Sequence, residues 1–157
     1  DNDRKRLNDN NISKAIFIFC IGLFKKVILA DTLAFWANAG FENSASLNFI
    51  EAWATALSYT FQIYFDFSGY MDMATGAALL FNIELPKNFN SPYKATGVID
   101  YWSRWHITLT NFIMTYIYTP ILRSYKKITF NKAMLATLFS MLLSGIWHGA
   151  SWIYIFW

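Results

Sequence analysis

The sequence predicts an all-α fold: a polytopic membrane protein fragment with several transmembrane and partly re-entrant helices. Three observations carry this expectation. Charged residues make up only 15% of the 157, and apolar residues 55%. A soluble domain of this size carries about 25% charged residues, so this chain lacks the charge to cover a water-facing surface. The charges are also clustered, which leaves long uncharged stretches; residues 105–122 and 133–157 are the longest. Within these stretches apolar residues stand on consecutive positions, as at 16–19 and 153–157. That pattern excludes the in–out alternation of a membrane β-barrel.

The elements follow in chain order. Residues 1–11 are a polar flank carrying Arg4, Lys5 and Arg6, assigned to the cytoplasmic side. Residues 12–39 read as a long helix interrupted near its middle by Lys25 and Lys26. A lysine facing lipid at mid-depth costs on the order of 3 kcal/mol. That pair is therefore expected at a membrane face, in a polar cavity, or snorkelling. Residues 38–48, with Gly40 and several Asn and Ser, read as a surface loop. The uncharged runs 52–65 and 73–83 follow, and 85–97 is a longer connection built on Pro86, Pro92 and Gly97.

A helix rises about 1.5 Å per residue, so about 20 residues cross a 30 Å hydrocarbon layer. Residues 133–157 meet that length. Residues 105–122 are borderline, with Pro120 at the end. Between them, Arg123, Lys126, Lys127 and Lys132 stand without an acid, which faces that loop to the cytoplasm. Seven Trp, several near run ends, fit interfacial anchoring. Short apolar runs also occur as core helices of soluble proteins; the low charge count and the terminal run argue against that here. The sequence begins at Asp1 and stops inside an apolar run, and reads as an interior piece of a longer protein. A net charge of +3 and the single Cys20 say little more, beyond excluding an internal disulfide.

The candidate chemistry lies in two places. His106 and His148 each sit in an uncharged run beside tryptophan. An ionisable group inside a membrane run is a functional candidate, and imidazole moves a proton near neutral pH. Either histidine serves equally as a helix-to-helix hydrogen bonder. Gly145 and Gly149 flank His148 and permit close approach of a substrate, or merely of another helix. Two histidines without further ligands make a poor zinc site, so no metal is expected. The second place is residues 62–72, QIYFDFSGYMD. In a helix, Asp66 shares a face with Gln62 and Tyr70. Asp66 then orients a histidine, holds a polar substrate group, or joins a polar network that locks helices together. No nucleophile elbow, phosphate-binding glycine loop or nucleic-acid-binding basic surface is present.

Three blocks together resemble the membrane-bound O-acyltransferase family: residues 62–72, residues 88–110 (NFNSPYKATGVIDYWSRWHITLT) and residues 144–152 (SGIWHGASW). Residues 24–31, FKKVILAD, look like a further element of its bacterial polysaccharide O-acetyltransferase branch, of the alginate-acetylating kind. The teichoic acid D-alanyl transfer branch is related. The resemblance covers residues 12–157, which then form part of one acyltransferase domain truncated at both ends. It implies a multi-pass protein of the bacterial plasma membrane. This protein would transfer an acyl group, acetyl above all, from a cytoplasmic thioester such as acetyl-CoA. The acceptor would be a hydroxyl on a glycan or on a periplasmic or extracellular acetyltransferase partner. No bound cofactor is implied.

The family's central histidine falls on His148, and its second position on His106. Asp66, Ser68, Tyr70, Trp102, Arg104, Trp105 and Trp147 match the surrounding motifs and become candidate substrate contacts. Arg104, Lys126 and Lys127 serve either to draw an anionic donor or simply to set topology. One departure is Met114-Thr115, where relatives often carry an Arg-Asp pair. It is consistent with a sub-branch that takes another acceptor or partner. D-alanyl transfer to teichoic acid, a transporter of donor or glycan, and a non-catalytic assembly scaffold are the alternatives.

Overall fold

The computed structural model describes residues 8–149 and 151–156. Every regular element among them is helical: α1 (Asp9–Phe24), α2 (Asp31–Glu42), α3 (Phe49–Leu80), α4 (Val98–Arg104), α5 (Ile107–Ile113), α6 (Thr119–Arg123), α7 (Phe130–His148) and α8 (Trp152–Phe156). Wide π turns join α1 to α2 (Lys25–Ala30) and α5 to α6 (Met114–Tyr118). The chain divides into two compact units, Asp1–Pro86 and Lys87–Trp157.

The first unit is an antiparallel helix pair. Asn8 caps α1, accepting from the backbone N–H of Asn10 and Asn11. A capping box starts α3: the Asn48 side chain takes the Ile50 and Glu51 N–H groups, and the Glu51 carboxylate takes the Asn48 N–H. At the far end, Asn11 Nδ2 donates to Asn82 Oδ1 at 2.8 Å, which ties the start of α1 to the turn after α3.

The seam between these helices is made of small residues. Ala15, Gly22, Ala30 and Ala37 are buried on one side, and Ser68, Gly69 and Gly76 on the other. A β-carbon at Gly22 would lie 2.6 Å from the Gly69 carbonyl oxygen, and one at Gly76 would lie 2.6 Å from that of Ala15. The backbones therefore touch, as in membrane helix pairs held by van der Waals packing.

The π turn makes this seam continuous. Two α-turns take about seven residues, so a regular helix would carry the stripe from Ala15 and Gly22 to Leu29 and Trp36. One inserted residue moves it to Ala30 and Ala37. These two are 1% and 0% exposed, whereas Trp36 is 61% exposed. The Asp31 N–H bonds the Lys26 carbonyl, five residues back, which is the mark of the insertion.

The large apolar side chains point outward: Phe17, Phe35, Trp36, Phe49 and Ile50 are all exposed. Small residues inside and large apolar ones outside invert the pattern of a water-soluble bundle. Such an exterior suits hydrocarbon or further apolar helices. Among the described residues, one helix, Phe130–His148, is long and apolar enough to cross a membrane by length and composition.

Several sequence expectations are corrected. Gly40 lies in α2, not in a loop; it is buried, and a β-carbon there would strike the Thr55 side chain. The loop is confined to residues 43–48. Runs 52–65 and 73–83 are not separate elements, because α3 continues through Asp66 and Asp72, whose charges are met by partners. The run 133–157 is not one helix: α7 ends at His148, and Gly149 is extended, where a β-carbon would lie 2.7 Å from the Tyr154 ring. Pro120 lies inside the helical stretch rather than at its end. The π turn before it sends the Thr119 N–H to the Met114 carbonyl, giving the proline ring room without a break. Of the 1–11 flank, residues 1–7 lie outside the described residues.

Candidate functional site: a histidine pair around Trp147

In the first unit, the lysines of the FKKVILAD element meet the acids of the QIYFDFSGYMD element. Lys25 Nζ lies 2.6 Å from Asp72 Oδ2, and Lys26 pairs with Asp66. Charges that lipid would penalise are thus matched across the helix seam. Asp66 is engaged by Lys26, which favours the helix-locking role among those open from sequence. Ser68 is buried, and its Oγ and the Gln62 Oε1 have no hydrogen-bond partner among the described residues. Tyr70 is exposed.

The second unit carries both histidines. Segment 88–91 runs beside residues 104–107, held by the Asn90 N–H to the Arg104 carbonyl (2.9 Å) and the Ile107 N–H to the Asn88 carbonyl (3.0 Å). Arg104 locks this arrangement. Its Nε donates to Asp100 Oδ1 at 2.7 Å and its Nη1 to the Asn90 carbonyl at 3.3 Å. The Asp100 carboxylate also accepts the Thr96 N–H. The Arg104 hydrogen bond, followed by that of Thr96, holds Asp100 below the ordinary carboxylate range. Arg104 therefore clamps the chain around the site, with two of its donor nitrogens committed to protein.

Aromatic rings fill the space around the clamp. Trp105 lies edge-on to Phe89 with centroids 5.0 Å apart, and stacks on Tyr101 at 5.8 Å. Tyr101 meets Trp102 edge-on at 5.5 Å.

This frame imposes a left-handed backbone on His106, with φ 44° and ψ 51°. For a residue with a β-carbon that conformation costs about 1–2 kcal/mol, so the surroundings must hold it. Asn88, itself buried, does so from the neighbouring segment. Its side-chain oxygen accepts from the Thr108 N–H at 3.0 Å and the Thr108 hydroxyl at 2.8 Å, and it lies 3.2 Å from His106 Nδ1. Together with its backbone carbonyl, Asn88 satisfies two of the first N–H groups of α5.

Beyond His106, α5 and the following π turn form one wall of a cleft of about 670 Å³, and the last turns of α7 form the other. The lining is almost wholly apolar: Leu109, Phe112, Ile113, Ile117, Leu143 and Ile146. The polar exceptions are His106, Thr108 and Ser144, with Trp147 beside them. The Trp147 ring lies 6.4 Å from the His106 ring and 5.0 Å from the His148 ring. His148 is the last residue of α7; it is exposed and is not among the lining residues.

The histidines, Trp102, Arg104, Trp105 and Trp147 thus fall in the second unit, and Asp66, Ser68 and Tyr70 in the first. Asn88, Thr108 and Ser144 were not singled out from sequence. Asn88 stands in an Asn- and Pro-containing stretch that reads as ordinary turn chemistry, so nothing in its spacing reveals that it reaches His106.

Comparison with known proteins bears on what this arrangement serves. A peptidoglycan O-acetyltransferase of Helicobacter pylori is 52% identical over 159 aligned residues, covering 100% of this chain and 29% of that protein. A probable alginate O-acetylase of Pseudomonas putida is 43% identical, covering 88% of this chain and 28% of that protein. A teichoic acid D-alanyltransferase of Bacillus subtilis is 30% identical, covering 62% of this chain and 26% of that protein. The chain spans under a third of the length of these relatives. The family model for the membrane-bound O-acyltransferases matches residues 1–157, and the chain belongs to that family.

Proposed function

We propose that the protein containing this chain is a multi-pass O-acyltransferase of the bacterial plasma membrane. It moves an acetyl group from a cytoplasmic thioester donor, such as acetyl-CoA, to a hydroxyl of a cell-surface polysaccharide, directly or through a periplasmic or extracellular partner. The observation that carries this reading is two histidine rings within 6.4 Å of the Trp147 ring, that of His106 lining an apolar cleft, in a chain of this family. Identity of 52% to a peptidoglycan O-acetyltransferase, against 43% to an alginate O-acetylase, makes peptidoglycan the first acceptor to test. A D-alanyl group would bring an ammonium charge, and none of the described cleft residues carries a carboxylate to meet it.

The thioester carbonyl is already electrophilic, so the main task is to activate the hydroxyl. His148 acts as general base, a role that contributes about 10²–10⁴-fold. As the acceptor oxygen bonds to the carbonyl carbon, its proton passes to His148. The carbon–sulfur bond then breaks, and the thiolate leaves with that proton, giving ester and thiol. His106, which lines the apolar cleft, positions the donor or relays the proton.

The test uses the full-length protein in membrane vesicles with a radiolabelled acetyl thioester and a peptidoglycan acceptor. The His148→Ala protein is expected to insert normally and transfer no label. Transfer at the wild-type rate would remove His148 as the base. Movement of donor or glycan across the vesicle without acyl product, persisting in His148→Ala, would identify a transporter instead.

A further inference from the structure

We infer that Asn88 is a positioning residue that fixes His106 in one tautomer, with the proton on Nδ1 and the lone pair on Nε2. The argument begins with the orientation of the Asn88 amide. The Thr108 backbone N–H lies 3.0 Å from one of its terminal atoms. A backbone N–H only donates, so that atom is the carbonyl oxygen rather than the NH₂. The Thr108 hydroxyl, 2.8 Å away, donates to the same oxygen. His106 Nδ1 stands 3.2 Å from this oxygen. Because an amide oxygen only accepts, Nδ1 carries a hydrogen. In the neutral imidazole Nε2 is then the basic nitrogen.

The geometry is over-determined, as a tautomer lock requires. Asn88 is buried, and its backbone carbonyl is bonded to the Ile107 N–H. The next link, from the Asn90 N–H to the Arg104 carbonyl, stands two residues away. At His106, whose backbone is left-handed, Nδ1 lies 3.2 Å from the Asn88 side-chain oxygen. The histidine that lines the cleft thus has its basic nitrogen fixed as Nε2. This rests on the acyltransferase reading above, because it assigns Asn88 to the site that reading uses.

The experiment reads the tautomer independently of turnover. Full-length protein labelled with ¹⁵N-histidine is reconstituted in lipid, and the His106 ring resonances are identified as those lost in His106→Gln. At neutral pH the wild type is expected to show a protonated Nδ1 and an unprotonated Nε2. Asn88→Asp keeps an acceptor oxygen and is expected to keep both signals. Asn88→Leu removes the acceptor and is expected to shift the proton toward Nε2. In parallel, Asn88→Leu lowers kcat by about 10²-fold, the scale of a misplaced proton-transfer group, while donor KM changes less than about threefold. Asn88→Asp restores most of the rate, a rescue that volume alone would not predict.

A wild-type His106 protonated on Nε2 would overturn the inference, as would an unshifted tautomer in Asn88→Leu. If Asn88→Leu fails to accumulate, the wild-type and Asn88→Asp spectra still decide. Were the ring signals as expected but acyl transfer insensitive to both His106→Gln and His148→Ala, the acyltransferase chemistry would fail while the tautomer assignment stood.

Discussion

Replacing Gly76 with alanine tests whether the helix seam is as tight as the geometry states. The new β-carbon would lie 2.6 Å from the Ala15 carbonyl oxygen, 2.9 Å from the Phe19 β-carbon and 2.9 Å from the Phe19 backbone nitrogen. A carbon–oxygen contact settles at about 3.3 Å or more, so α1 must retreat by roughly 0.7 Å. Two of the three obstructing atoms are backbone, and no rotamer change clears them. Overpacking of this kind costs about 1–3 kcal/mol. Alanine recovers about 1 kcal/mol through its better helix propensity, which leaves a net loss of up to about 2 kcal/mol. Gly22 and Gly69 oppose each other in the same seam. Once the helices part for one methyl, a second costs less, so the Gly22→Ala/Gly69→Ala double change falls short of the sum. Gly97→Ala is the control: nothing lies within 4 Å of its β-carbon position, and its backbone is extended. The assay is thermal unfolding of the full-length protein in detergent. Gly76→Ala melting with Gly97→Ala and wild type would refute close backbone contact between α1 and α3.

Exchanging the charges of the Lys25–Asp72 pair separates charge matching from mere polarity. Asp72→Asn strands a lysine that is only 26% exposed and costs about 1–3 kcal/mol, the buried-pair figure reduced for partial solvent access. The double change Lys25→Asp/Asp72→Lys recovers part of that loss in the same unfolding assay, and no recovery would argue against a direct pair. Asp100→Asn weakens the clamp on Arg104. Because the folded-state pKa of Asp100 is depressed, its contribution is present above the unfolded-state value and is lost as pH falls through the lower folded one. The stability gap between wild type and Asp100→Asn, measured as melting temperature against pH, is therefore expected at neutral pH and closes in strong acid. Finally, Lys126→Gln/Lys127→Gln leaves kcat within about twofold, since Lys127 is held by Lys132 at the first turn of α7 and His148 ends that helix, farther than a Debye length of about 8 Å; a larger fall in steady-state turnover would place them at the chemistry.

Much of the first unit was legible in its charges, and its register was not. Composition and consecutive apolar positions yield helices, and the helix over residues 12–39 is borne out within the continuous stretch from Asp9 to Glu42. Periodicity of 3.6 fails at the π turn. A uniform helix would bury Leu29 and Trp36, and the small-residue spacing from Gly22 to Ala30 is the one trace of the insertion. Lys25 and Lys26 were expected at a membrane face, in a polar cavity, or snorkelling. Their partners lie more than 30 residues away in Asp66 and Asp72, and sequence alone supplies no such pairing. In the second unit the histidines stood out because they interrupt apolar runs. Asn88 did not, because its role depends on one loop segment lying beside another. Gly40 shows the same limit: glycine among Asn and Ser signals a loop, yet here it permits contact between α2 and the Thr55 side chain.

The length of α7 sets a condition on the proposed chemistry. Nineteen residues at about 1.5 Å each span roughly 28 Å, close to the full hydrocarbon thickness. Arg123, Lys126, Lys127 and Lys132 gather at or before its first turn, and His148 stands at its last residue. If the basic end faces the cytoplasm, both histidines of the proposal lie toward the outer face, because His106 shares its cleft with Leu143, Ile146 and Trp147 from the same last turns. A phosphate-bearing donor cannot follow the apolar wall of that cleft without losing hydration it has no means to replace. An uncharged thioester arm can. From His106 the wall continues through Phe112 and Ile113 to Ile117, toward the end of the helical stretch that carries Arg123. On the proposed function, charged parts of a donor would stay at the basic loop and only its neutral thioester arm would enter the apolar cleft beside His106.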